Sequence, residues 1–155
     1  MTNDNGNFTV EELGKHIPRQ FYETVIVIVN SLPRSAQSVV DAFFKACEII
    51  APVFREPKPV TIIFGKSPFQ IETELSKTTV EFINDTEQLT TDNRIYLSYP
   101  NLLQGTFEVQ VAVILEELCH HFLNIEDESL VKGVVMALYP EVTFNRTKYE
   151  SKSAH

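Results

Sequence analysis

Glu116, Glu117 and His120 are the residues of this chain best spaced for chemistry. They stand in the string Leu115-Glu116-Glu117-Leu118-Cys119-His120. On a helix turning about 100° per residue, Glu116 and His120 fall about 40° apart, one turn along the axis. The rise of about 1.5 Å per residue separates them by about 6 Å. A carboxylate and an imidazole so placed can hold one metal ion between them. Glu117, about 60° from His120 on the same wheel, can take a proton from a water bound to such an ion. Glu126, Asp127 and Glu128 follow closely and offer a further oxygen donor.

The same residues also admit a purely structural reading. Glu116 with His120, and Glu117 with His121, are i, i+4 pairs with the acid first, worth about 0.2–0.5 kcal/mol each on an exposed helix. Two histidines near a helix C-terminus and three acids opening the next helix both suit the helix dipole. His121 lies about 100° beyond His120 and points away from a shared ion.

The elements that must position these groups follow from periodicity. Val25–Val29 is a short β-branched run and reads as a buried strand. Ala36, Val39, Val40, Phe43, Cys47 and Ile50 recur at helical spacing, after Pro33 and with Ser31 or Ser35 as a cap. Residues 60–64 form a second strand, and residues 70–84 hold two short strands turning near Ser76 and Lys77. The stretch 86–93 reads as a loop. Residues 94–99 form another strand, closed by Pro100. Val109–Leu123 is the helix carrying the chemistry, with a start at Gly105 and Thr106. A third helix opens at the acidic turn and turns Leu130, Val131, Val134, Val135 and Leu138 inward until Pro140.

This order predicts one α+β domain over residues 8–144, with flexible ends at 1–7 and 145–155. A net charge of −8 without a Lys/Arg cluster argues against nucleic acid and against an anionic membrane surface. Cys47 and Cys119 lie in apolar helical stretches and read as reduced core thiols. The start of the chain lacks the basic and apolar regions of a signal peptide, and the run "VIVIV" is too short to span a bilayer, so the cytoplasm is expected.

The string Glu116-Glu117-Leu118-Cys119-His120 resembles H-E-x-x-H with its first histidine replaced by glutamate. Over about residues 22–140 the chain is similar to a minimal zincin metallopeptidase domain. The resemblance implies a mixed, mostly antiparallel sheet of four to five strands packed with three main helices. It implies a divalent metal, zinc above all, held by Glu116, His120 and an acid from the third helix, Asp127 or Glu128, with Glu126 a further option. Glu117 would be the catalytic base. The strand carrying Tyr96, Ser98 and Tyr99 would align an extended peptide or protein substrate by strand addition. A metzincin-like variant, with Glu126 as third ligand and Met136 in a Met-turn, fails at Leu123, where a glycine should stand.

The glutamate at 116 has a chemical consequence. Two acids and one histidine would bring a divalent ion to neutrality, and a neutral centre polarises its water less. Oxygen donors also select less sharply for zinc. Two functions therefore compete: a zincin-like peptidase, and a non-catalytic relative that binds a peptide or protein partner without metal.

Overall fold

The computed structural model describes residues 6–56, 58–72, 74–82, 88–91 and 93–154. The expected mobility of residues 1–5 and of His155 lies outside the described residues. In chain order the elements are α1 (Val10–Gly14), β1 (Val25–Val29), α2 (Gln37–Ile50), β2 (Val60–Gly65), β3 (Phe69–Glu72), β4 (Lys77–Val80), β5 (Gln88–Thr91), β6 (Arg94–Ser98), α3 (Tyr99–Leu102), α4 (Phe107–Leu123), α5 (Glu128–Leu138), β7 (Val142–Phe144) and β8 (Tyr149–Ser151). The α+β class is thus as expected.

The main sheet has four strands in the order β1-β2-β6-β5. β1 with β2, and β2 with β6, are parallel; β5 with β6 is antiparallel. This corrects the expectation of a mostly antiparallel sheet. The reason is α2, which carries the chain from the end of β1 back to the start of β2, a crossover that leaves the two strands parallel. β5 is a second correction, because it lies within the stretch read as a loop. The run Gln88-Leu-Thr-Thr is short and polar, and its pairing comes from β6 and not from any alternation of its own.

Alternation along the strands sorts the two faces. Val27, Ile62, Phe64, Ile95 and Leu97 join the main core with α2 and α4. Ile63 and Tyr96 turn to the other face, where Phe69 and the β3–β4 hairpin cover them. α2 starts after a 3-10 turn at Arg34–Ala36 with no side-chain cap, so neither Ser31 nor Ser35 plays the part expected of it. The tail after Phe144, read from its composition as flexible, contains a strand. β8 pairs with β7, and Tyr149 is buried in the core. No helix among the described residues is long and apolar enough to cross a membrane.

Candidate functional site

α4 is packed against α2, α5, β5, β7 and β8, and this enclosure sets the character of the site. Thr106 caps its start by accepting from the Val109 amide at 3.4 Å. Every residue from Gln110 to Cys119 is buried, so this is no amphipathic helix with a wet face. Glu116 and Glu117 keep only 6 % and 7 % of their surface. A carboxylate so placed needs partners, because its charge has lost most of its water.

The partners come from later in the chain. Asn124 takes a left-handed conformation (φ 54°) and ends α4. Lys58 pins this turn by donating to the His121 carbonyl and to the Asn124 side chain. The reversal brings the first turn of α5 against the last turn of α4. Asp127 Oδ1 accepts from the Leu130 amide at 2.7 Å, so Asp127 is the N-cap of α5. Glu128, one residue on, swings beside His120.

Glu116, His120 and Glu128 each offer one donor atom, and those atoms lie within 4.8 Å of one another. Of the three acids expected to compete for the third place, the fold brings in Glu128. Asp127 is used as a cap, and Glu126 is exposed outside the cluster. His120 Nδ1 lies 2.5 Å from the Ile125 carbonyl oxygen. A carbonyl only accepts, so Nδ1 is the donor in this contact and Nε2 is turned toward the cluster. That Nε2 stands 3.7 Å from Glu128 Oε1.

Two residues complete the cluster that the sequence did not single out. Lys132 Nζ donates to Glu116 Oε1 at 3.2 Å and to Glu128 Oε2 at 2.9 Å. The Tyr149 hydroxyl, carried in by β8, donates to Glu116 Oε2. One signal for Lys132 was available: it stands four residues after Glu128, the spacing of a helical ion pair. Tyr149 had none, since it sits in a polar tail.

The electrostatics follow from these contacts. Burial works to lower the Lys132 pKa, but Glu128 and Glu116 outweigh it and hold the ammonium above the ordinary lysine value. The Lys132 hydrogen bond holds the Glu128 carboxyl below its usual range. Burial, and then Glu116, push the Tyr149 hydroxyl well above the ordinary tyrosine value, so it stays a donor. Burial, and then Glu116, push the Cys119 thiol up to about 12. Cys119 and Cys47 are free and buried, the inert core thiols expected.

Near a protein surface two unit charges at 4 Å interact by about 4 kcal/mol. A divalent ion that close to the Lys132 ammonium would meet about twice that repulsion. Lys132 already holds one oxygen of each carboxylate, so a divalent ion among these three donor atoms would have to displace its ammonium.

The expected substrate strand is also differently placed. β6 is flanked by β2 and β5, so it has no open edge for strand addition. Tyr96 is buried under the hairpin, Ser98 is buried, and Tyr99 is half-buried at the start of α3. Glu117 lies outside the Glu116–His120–Glu128 grouping. Comparison with protein-family models, curated proteins and solved structures finds no match to this chain.

Proposed function

We propose that this chain is a non-catalytic, zincin-like protein in which Lys132 stands where a metal ion would, and that it binds a peptide or protein partner. The observation that carries this reading is the Lys132 ammonium, within 3.2 Å of Glu116 and 2.9 Å of Glu128. Its single charge and its hydrogen bonds satisfy the two carboxylates without coordination chemistry. Two further features support it. The E-E-x-x-H string lies on α4, the long helix that follows the sheet, and the next helix, α5, contributes the third acid. β5 ends the sheet on one side and lies against α4, the helix that carries the cluster, so β5 is the strand to which an extended partner would add.

A second reading rests on the grouping of Glu116, His120 and Glu128 and on the anchoring of His120 by the Ile125 carbonyl, an arrangement common to metal-bound histidines. On that reading the protein is a divalent-metal peptidase with Glu117 as its base. The two are separated by the metal content of protein purified without chelator, together with peptide hydrolysis by the wild type and by Glu117→Gln. The non-catalytic reading expects no stoichiometric metal and no hydrolysis from either form. Stoichiometric metal, with hydrolysis abolished in Glu117→Gln, would replace it with the peptidase.

A further inference from the structure

The chain around α1 is pinned beside the start of α2, and a cavity lies between them. The Phe8 amide donates to the Leu32 carbonyl at 2.8 Å, and the Arg34 amide to the Gly6 carbonyl at 2.7 Å. Thr9 caps α1 and exchanges hydrogen bonds with Glu12, which fixes the entry to that short helix. On α2, Gln37, Val40, Asp41 and Phe44 recur at i, i+3, i+4 and i+7, one face of the helix. That face and the α1 segment line a cavity of about 350 Å³. Its size is at the small end of the range for small-molecule sites.

Leu13 and Val40, both buried, give the cavity apolar lining. Two aromatic rings line it as well. The Arg34 guanidinium lies over the Phe8 ring, 4.5 Å from its centroid. The Phe44 ring meets the His16 ring at 5.2 Å between centroids.

The charges around the cavity do not balance. Arg34 is paired with Glu12, and Lys15 with Glu11. Asp41 differs. Its Oδ1 accepts from Gln37 Nε2 at 2.8 Å, a neutral partner. Among the described residues, no basic side chain forms an ion pair with it. One half of the cavity therefore holds a carboxylate, a ring and a cation of the chain's own: Glu12, Phe8 and Arg34. The other half offers a carboxylate and a ring, Asp41 and Phe44, three residues apart on α2 and without a cation. A positive group there gains both the ion pair and the attraction of a ring face. The net charge of −8 favours the approach of cations and opposes that of anions.

We infer that this cavity binds a small organic cation, a primary ammonium on an aromatic or short apolar stem. The ammonium sits at Asp41, and the stem lies against Phe44, Val40 and Leu13. The cavity shares no residue with the cluster at Glu116, so the inference stands apart from either reading of that cluster.

The test is an amide NMR titration with benzylamine, benzyl alcohol and benzoate, which share a ring and differ in charge. Mildly alkaline buffer keeps imidazoles neutral and a primary amine protonated. Benzylamine is expected to shift the Leu13, Val40, Asp41 and Phe44 amides saturably and to bind about tenfold more tightly than benzyl alcohol. Benzoate should bind more weakly still. Asp41→Asn, a change at an exposed side chain that keeps an acceptor for Gln37, should leave the circular dichroism spectrum unchanged. It should bring benzylamine down to the affinity of benzyl alcohol. Benzylamine that fails to saturate, or that shifts amides elsewhere, overturns the inference. So does benzyl alcohol or benzoate binding as tightly as benzylamine, or an Asp41→Asn variant that binds benzylamine as the wild type does.

Discussion

The Lys132 ammonium lies 3.2 Å from the Glu116 carboxylate, within the ring of donors that the spacing of α4 offers to a metal ion. Glu116 is almost wholly buried, and Lys132 and Tyr149 are its two hydrogen-bond donors among the described contacts. Removing either leaves a carboxylate oxygen short of a partner in a place that water reaches poorly. Lys132→Met is expected to destabilise the fold by about 2–3 kcal/mol, the cost of an unsatisfied buried charged group. Urea unfolding of the variant against the wild type measures it. An unchanged midpoint would mean that the ion pair contributes nothing.

Tyr149→Phe removes one hydroxyl and keeps the ring that packs on Phe144. The expected loss is about 1–3 kcal/mol, from the orphaned Glu116 Oε2. A deletion of residues 145–155 should cost more than Tyr149→Phe, because it also removes the ring and β8. A deletion that left thermal stability untouched would return the tail to the frayed state expected from its composition.

The ion pair between Glu128 and Lys132 carries a pH signature. The folded Glu128 pKa is lowered below 4.5, so its contribution is present above that value and is lost as pH falls through the lowered one. The folded Lys132 pKa is raised above 10.5, so its contribution is present below that value and is lost as pH rises through the raised one. The stability difference between wild type and Glu128→Gln should therefore be a plateau across the neutral range that shrinks at both ends. Glu128 is largely exposed, so the plateau is low, and its shape is what urea titrations at several pH values must find. A difference that grows on acidification has the wrong sign for this pair.

Asp127 has a structural task that separates it from Glu128. Asp127→Ala should destabilise by about 1 kcal/mol through loss of the α5 cap, and Asp127→Asn by little, since asparagine caps nearly as well. Equal losses in both variants would mean that its charge matters, as a ligand's would.

Part of this was legible in the sequence. The runs Val25–Val29 and Val60–Phe64 announce strands because β-branched residues suit a buried sheet. The helical spacing of Val39, Phe43, Cys47 and Ile50 announces α2. Glu116 and His120 are one turn apart by helix geometry alone, and the acidic turn had to follow closely, so the grouping with Glu128 was within reach. Strand direction was not, because it depends on how α2 and the β3–β4 hairpin route the chain. Nor was the burial of Glu116: a wheel shows α4 one neighbour at a time, whereas five elements enclose it. Lys132 and Tyr149 reach Glu116 across 16 and 33 residues, distances that no local pattern spans.

Zinc titration of the wild type and of Lys132→Met, side by side by calorimetry at neutral pH, tests the substitution of an ammonium for a metal most directly. The wild type should take up no stoichiometric zinc. The variant, freed of the competing charge and left with Glu116, His120 and Glu128, should bind one equivalent and regain part of its lost stability. One equivalent bound by the wild type with Lys132 in place, or none bound by the variant, would contradict the account.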